Sequence, residues 1–298
     1  MDLSLRSLRY FVTTAEEGSI TAAARRLHIS QPSVSSSILH LEDFFNQKLF
    51  IRKPSSGIVL TPAGQQLLPK ARLLLAHAEE LEIMTGKFDT ELSGKIRMAC
   101  FVNLAPVYFS SLLAGFQRRH PDIKVEFHEL NQREILSGVS DARYELALTF
   151  NLCDLEGFNV TTLTEIPPHA ILPENHPFFH QSKVSLTELA PEPLILMDLP
   201  HSREYLLSLY TYLGIRPNLQ YLPKTFEMVR TMAGNGLGYG LLSLVPKSPT
   251  TYDGTIVKAL PIVEPVPSLK IVAIQSTDMP TRRVTHAFVE YMKEYFIS

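Results

Sequence analysis

The hydrophobic positions of the first 60 residues repeat three times with the period of an amphipathic helix. The first repeat ends at Gly18, and the second and third follow Ser19 and Ser30, residue types that suit helix ends and caps. Two β-rich pieces come next, at 48–53 and 58–60, around the turn sequence PSSG. This pattern predicts three short helices and a hairpin. The three apolar faces are Leu8, Phe11, Val12 and Ala15; Ile20, Ala23, Ala24 and Leu27; and Val34, Ile38, Leu41 and Phe45.

A different repeat runs along residues 61–88. Its apolar positions recur at alternating steps of four and three residues, which is the spacing of a coiled-coil seam. A single helix cannot bury such a seam, so we expect it to pair with the same helix of a second subunit. The segment is therefore predicted to be a dimerisation helix. The seam consists of Leu67, Ala71, Leu74, Ala78 and Leu81.

From Gly94 onward, apolar strand-like runs alternate with amphipathic helical stretches. This alternation predicts an α/β fold with a mostly parallel sheet. Strands are expected at 96–101, 124–129, 145–150, 194–197, 238–242 and 269–274. Helices are expected near 104–119, 133–138, 202–213, 225–233 and 281–296.

Ligands of open parallel sheets bind beyond the carboxyl ends of the strands, where the next helix begins. Ser202 and Thr225 stand at such junctions, although both also suit helix caps without any ligand. His201 and Arg203 beside a helix start favour an anionic group such as a carboxylate, so the expected ligand is a small organic acid. The full set of candidate ligand contacts is Phe101, Val102, Asn103, Phe150, His201, Ser202, Arg203, Thr225, Phe226 and Tyr239.

The composition of the 298 residues, with 45% hydrophobic and 19% charged side chains, is typical of a globular protein of two or three domains. The net charge of −2 means that a nucleic-acid partner must be argued from local geometry. Two cysteines, no signal-peptide pattern and no long apolar run predict a cytoplasmic protein without membrane contact. Because no catalytic or metal-binding motif is found, we expect no enzyme activity, no cofactor and no metal.

The outer face of the third helix is rich in serine, which is a poor residue for helix interiors. Short hydroxyl and amide side chains can approach bases or phosphates in a major groove, and basic residues on the hairpin suit phosphate contacts. Helix, turn, second helix and basic hairpin together predict a winged helix-turn-helix that binds double-stranded DNA. The candidate contacts are Gln31, Pro32, Ser33, Ser35, Ser36, Arg52 and Lys53.

The first part of the chain resembles the N-terminal domain of LysR-type transcriptional regulators. The resemblance is carried by LRYFVTTAEEGSITAAARRLHISQPSVSSSILHLEDFF, followed by KLFIRKPSSGIVLTPAGQQLLPKAR. The resemblance implies an α/β protein with a winged helix-turn-helix, a linker helix and a two-lobed effector domain of the periplasmic-binding-protein type. The implied bounds are 1–60, 61–88 and 89–298, with one lobe near 94–162 and 268–298 and the other near 163–267.

By the same resemblance, Gln31, Pro32 and Ser35 match recognition-helix contacts, and Arg52 matches the arginine of the wing. Ser36 stands where many relatives have arginine, so recognition there is expected to depend more on phosphate contacts and DNA shape. The resemblance further implies a homodimer through the linker helix, a homotetramer through the effector domains, and a small-molecule effector between the lobes. Effector binding would shift the arrangement of the lobes and thereby alter operator binding.

Three other interpretations remain at this point. A two-lobed small-molecule binding protein would share the second half, but the first 90 residues argue against it. An α/β enzyme has no supporting motif. A redox-sensing regulator would use Cys100 or Cys153, which requires an exposed and activated thiolate. Binding to the DNA upstream of the protein's own gene would separate a regulator from the first two.

Overall fold

The N-terminal unit has the three helices and the hairpin that the hydrophobic pattern predicts. In the computed structural model, residues 3–53, 57–83, 92–279 and 281–297 are described. Each of the three helices begins after a serine. The hydroxyl of that serine accepts a hydrogen bond from the backbone N–H of the residue three positions later. The elements are α1 (Leu5–Glu17), α2 (Ile20–Arg26), α3 (Gln31–Phe45), β1 (Phe50–Lys53) and β2 (Gly57–Leu60).

The linker helix α4 (Pro62–Ile83) packs along α1. Its start is fixed by Thr61, whose hydroxyl accepts a hydrogen bond from the Gly64 backbone and donates one to the Lys48 carbonyl. A side chain at Gly64 would collide with the Leu49 carbonyl, because a Cβ there would lie 2.3 Å from that oxygen. The last part of the predicted linker, 84–88, and the boundary at 88/89 lie outside the described residues.

The second half of the chain forms two lobes, each built on a five-stranded sheet. The strands are β3 (Gly94–Phe101), β4 (Ile123–Leu130), β5 (Leu146–Phe150), β6 (Phe158–Ile166), β7 (His169–Pro173), β8 (Pro193–Ile195), β9 (Asn218–Tyr221), β10 (Tyr239–Leu242), β11 (Val257–Pro261) and β12 (Leu269–Ser276). The helices are α5 (Ser110–Arg119), preceded by a π-helical turn at Ala105–Phe109, α6 (Gln132–Ser140), α7 (Leu186–Leu189), α8 (Ser202–Tyr212), α9 (Phe226–Gly234) and α10 (Arg283–Ile297).

The strand order is β4-β3-β5-β12-β6 in the first lobe and β11-β7-β10-β8-β9 in the second. In each sheet four strands point the same way and one is antiparallel to its neighbours, β12 in the first lobe and β7 in the second. The mostly parallel sheet expected from the sequence is therefore confirmed. Each antiparallel strand is the first one that the chain forms after it crosses into that lobe.

The chain crosses between the lobes twice, and both crossings contain prolines. The first crossing is Pro167 and Pro168, between β6 and β7, and the second contains Pro265 and Pro267, between β11 and β12. The first crossing comes later than the boundary near 162 expected from the sequence, because β6 stays paired with β12 up to Ile166. Among the described residues, none of the helices is long and apolar enough to span a membrane.

Candidate functional site

The N-terminal end of α3 and the wing line one groove together. Gln31 on α3 and Arg52 on β1 face this groove, and the turn between α1 and α2 forms another wall. The wing is held against that turn by a hydrogen bond of 3.1 Å from the Ile58 backbone N–H to the Gly18 carbonyl. Gly57 has a φ of +73°, and a Cβ there would lie 2.7 Å from the Gly18 oxygen, so the close approach requires glycine. Two predicted DNA contacts from separate elements thus converge.

The outer face of α3 is polar and accessible, as predicted. Gln31, Pro32, Ser33 and Ser36 are exposed and Ser35 is half-buried. Arg52 is exposed on the wing, whereas the side chain of Lys53 lies outside the described residues. One position of the expected inner face is wrong: Phe45 is partly exposed beside Phe44 instead of buried with Val34, Ile38 and Leu41. Ser37 is half-buried, and its hydroxyl donates to that of Ser7 on α1 at 3.0 Å.

Glu42 positions the wing and is not among the residues predicted from the sequence. Its buried carboxylate accepts hydrogen bonds from the Leu49 backbone at 2.9 Å, the Phe50 backbone at 3.3 Å and the Lys48 ammonium at 2.7 Å. These bonds connect the C-terminal part of α3 to the start of β1. The sequence does contain a signal for this role: Glu42 is four residues after Ile38, which places a carboxylate on the inner face of the helix.

The predicted seam of α4 does not have one uniform environment. Ala71 is buried and Leu67 is partly buried against the core formed with α1. Leu74 and Leu81 are exposed, at 42% and 67% of their surface, and Ala78 is partly buried. The first part of the seam therefore packs within the subunit, and the second part presents apolar side chains to solvent.

A small cavity lies between the two lobes. It is lined by five of the predicted effector contacts, with Phe101, Asn103 and Phe150 on the first lobe and Ser202 and Phe226 on the second. Its volume is about 30 Å³, enough for one or two water molecules. A larger molecule can enter only if the lobes or the lining side chains move. The other lining residues are Leu152, Met197, Tyr205, Leu206, Leu242, Ser243, Leu244 and Leu269.

The other five predicted effector contacts are not among the residues that line this cavity. Arg203 instead donates to Asp198 at 2.8 Å. The Thr225 hydroxyl caps α9, and Tyr239 is buried in the core of the second lobe with its hydroxyl 2.7 Å from that of Tyr210. Burial raises the pKa of Tyr239 to about 12, so this phenol is neutral at physiological pH. Val102 and His201 are partly buried at the two junctions and are likewise not part of the cavity wall.

The cavity contains a few polar groups in an otherwise apolar wall. The Asn103 amide donates to the sulfur of Met197 at 3.0 Å, which is a weak acceptor. The Ser243 hydroxyl, near the phenol of Tyr205, is buried without a hydrogen-bonding partner among the described residues. The Tyr205 phenol donates to the Pro267 carbonyl at 2.8 Å. The Asn103 amide and the Ser243 hydroxyl are thus only weakly engaged. No carboxylate, ammonium, guanidinium or imidazole is among the described lining residues.

Neither cysteine has the environment of a reactive thiolate. Cys100 is fully buried in β3, and burial strongly raises the pKa of its thiol. Cys153 is partly buried in a loop, and burial raises the pKa of its thiol as well, although a hydrogen bond from Gln132 opposes this. A raised pKa reduces the thiolate fraction that peroxide oxidation requires.

Both parts of the chain match models of one protein family. Residues 5–65 match the bacterial regulatory helix-turn-helix protein of the lysR family. Residues 89–297, more than half of the chain, match the LysR substrate binding domain. The chain belongs to the LysR family of transcriptional regulators. It is accordingly a DNA-binding transcriptional regulator with an effector-binding domain, and not an enzyme.

Individual relatives agree with this assignment. The Escherichia coli K12 protein YnfL, an HTH-type transcriptional regulator, is 33% identical over 203 residues, which cover 67% of each chain. The crystal structure of HinK, a LysR family transcriptional regulator from Pseudomonas aeruginosa, is 37% identical with a TM-score of 0.66 and 99% of each chain covered. A hydrogen peroxide-inducible genes activator from Dickeya chrysanthemi is 24% identical, over 98% of this chain and 96% of that protein.

Proposed function

We propose that this LysR-family regulator binds an operator through paired winged helix-turn-helix units and responds to a small molecule held between its lobes. The observation that carries the DNA part is the groove shared by Gln31 and Arg52. A recognition helix can enter a major groove while the wing contacts the phosphates beside it. Exposed Leu74 and Leu81 support a homodimer through α4, and pairing of the effector domains would then give a homotetramer.

The DNA part is tested with a duplex from the region upstream of the protein's own gene. We expect Arg52→Ala to weaken specific and non-specific binding alike and to reduce the slope of log K against log salt by about 0.9, because one phosphate contact is lost. Gln31→Ala should weaken the specific site by about tenfold, since one base contact is lost, with a smaller effect on random DNA.

Arg216→Ala, at an exposed position of the second lobe, is the control. Fluorescence anisotropy titrations at several salt concentrations measure both quantities. The proposed DNA surface is incorrect if Arg52→Ala and Gln31→Ala both bind the upstream duplex like the control variant.

We further propose that the effector is uncharged and largely apolar, with one or two polar atoms for Asn103 and Ser243. The rings of Phe101 and Phe150, 5.1 Å apart edge to face, and of Phe226 suit an aromatic or aliphatic group. A carboxylate in this wall would lose water without gaining a countercharge. An organic acid held by Arg203 is the competing proposal, and it requires that arginine to leave Asp198.

Benzamide and benzoate distinguish the two proposals because they share a shape and differ in charge. We expect calorimetry on the full chain to detect benzamide binding that is weakened by Asn103→Leu and unchanged by Arg203→Gln. Binding of benzoate in preference to benzamide, with loss in Arg203→Gln, would instead support the organic acid. A regulator that senses peroxide through Cys100 or Cys153 is supported only by the similarity to the hydrogen peroxide-inducible genes activator. The thiols themselves do not support it, because burial raises the pKa of both.

A further inference from the structure

A second cleft, different in character from the interlobe cavity, lies between the N-terminal unit and the first lobe. Its volume is about 790 Å³, within the range of small-molecule sites. Charged side chains dominate its wall, with five lysines and arginines against three carboxylates. The cations are Arg26, Arg72, Lys95, Arg97 and Arg143, and the carboxylates are Glu16, Glu126 and Asp141.

Arg72 on α4 is the most deeply buried of these cations, with only 4% of its surface exposed. Its Nη1 donates to the Asp141 carbonyl at 2.7 Å, and its Nη2 to the Glu16 carboxylate at 3.3 Å. Its Nε has no hydrogen-bonding partner within the described part of the chain. Arg72 shares Glu16 with Arg26, which lies 3.1 Å from this carboxylate and 2.9 Å from that of Glu17.

Arg97 on β3 and Arg143 after α6 are also poorly compensated. The carboxylate nearest to Arg97 is Glu145 at 3.9 Å, but Glu145 accepts a hydrogen bond from Arg282 at 2.8 Å. Arg143 reaches Asp141 only at 3.4 Å and is half exposed. Burial lowers the pKa of Arg72, Glu16 opposes this, and the positive charges of Arg143 and Arg97 lower that pKa further. The charges of Arg97 and Arg143 thus act unfavourably on the buried charge of Arg72.

We propose that this cleft binds a multivalent oxyanion bearing a phosphoryl group, held by Arg97 and Arg143 next to Arg72. Planar guanidinium groups match phosphate oxygens through paired hydrogen bonds, and they keep their charge even when partly buried. The anion would supply the countercharge that Glu16, Asp141 and Glu145 provide only in part. This site is separate from the interlobe cavity and does not depend on the proposal made for it.

Such an anion would also connect the two parts of the subunit. Arg72 belongs to the linker helix, whereas Arg97 and Arg143 belong to the first lobe. A ligand that contacts both favours the arrangement in which the N-terminal unit rests on its own effector domain. Operator binding should therefore change when the anion binds, even with the interlobe cavity empty.

Pyrophosphate is the probe, added to the full chain at an ionic strength held constant with sodium chloride. Arg97→Gln and Arg143→Gln alter accessible side chains, and Arg216→Gln removes one exposed arginine from the second lobe as a matched control. Calorimetry should show pyrophosphate binding to the wild type and to Arg216→Gln. Each cleft variant should bind about tenfold more weakly, because one charge-assisted contact is lost.

Two further variants test whether pyrophosphate binds at the other two proposed sites. Asn103→Leu, in the interlobe cavity, should leave pyrophosphate binding unchanged, and Arg52→Ala, on the DNA-binding surface, should do the same. The proposal is overturned if the wild type does not bind millimolar pyrophosphate, or if both cleft variants, folded by circular dichroism, bind it like the wild type. Loss of pyrophosphate binding in Arg52→Ala would assign the anion to the DNA surface and would also overturn it.

Discussion

At the scale of single residues, Glu264 connects the second crossing to the short helix α7. Its carboxylate accepts hydrogen bonds from the Ser185 hydroxyl at 2.6 Å and from the backbones of Leu186 at 3.0 Å and Thr187 at 3.1 Å. Burial opposes ionisation, but these hydrogen bonds outweigh it and lower the pKa of Glu264 to about 2. The usual value for glutamate in an unfolded chain is about 4.3.

The lowered pKa gives a prediction about acid stability. The ionised carboxylate stabilises the fold fully above about pH 5, and this contribution disappears as the pH falls from about 4.3 to 2. Glu264→Gln should therefore unfold more easily at pH 7, by about 1 kcal/mol after allowance for solvent screening, and the difference should vanish near pH 2. Thermal unfolding midpoints across this range measure it, with exposed Glu174→Gln as the control. A constant difference at every pH would contradict the assignment.

The residues of the interlobe cavity could be predicted from the sequence where a strand-to-helix junction alone determines their position. Phe101, Asn103 and Ser202 follow strand ends in the chain, and they line the interlobe cavity. Arg203 follows the same rule and yet pairs with Asp198, because a flexible charged side chain selects the nearest countercharge. Ser243 could not be identified, because no helix begins after the strand that it follows and its place in the cavity depends on the other lobe.

At the scale of elements, the longer helices were predictable because amphipathic periodicity extends over many residues, whereas the four-residue helix α7 was not predicted. Strands β3, β5 and β12 are buried apolar runs and were also found. Strand β6 was not predicted, because its sequence FNVTTLTEI lies at a sheet edge and is mostly exposed or partly buried. Strands β9 and β11 are likewise short edge strands that were not predicted. Strand β7, only five residues long, was not predicted either, although it is central and buried. Edge strands carry weak apolar patterns, so their pairing is decided by the neighbouring strand.

The divided seam of α4 leads to a prediction about assembly. Leu74→Lys should place a charge where the proposed partner helix excludes water, and the dimer should dissociate. Because two linked sites bind far more tightly than one, operator affinity should fall by about 100-fold. Light scattering and operator titration measure both effects. Gln66→Lys, exposed on the same helix, is the matched control. A Leu74→Lys protein of unchanged mass would exclude this helix as the dimer contact.

At the scale of the whole molecule, Arg72 is the side chain that joins the linker helix to the first lobe through Asp141. Arg72→Gln removes a buried charge and both of its hydrogen bonds, so the N-terminal unit should lose its fixed position. Small-angle scattering should then show a larger radius of gyration. Lys70→Gln, at an exposed neighbouring position, should not change it. An unchanged radius of gyration in Arg72→Gln would show that other contacts suffice to hold the units together.

The prolines of the two crossings have a mechanical consequence. Proline has a fixed φ angle, so Pro167, Pro168, Pro265 and Pro267 leave the connecting chain few torsions to rotate about. Two short, stiff connections side by side resist wide opening and permit mainly a small twist of one lobe against the other. Each lobe is long compared with the crossings, so it acts as a lever arm. A ligand that separates the cavity walls by the width of a single ring would then displace the outer surfaces of the lobes, where the linker helix and the proposed subunit contacts lie, by a larger distance.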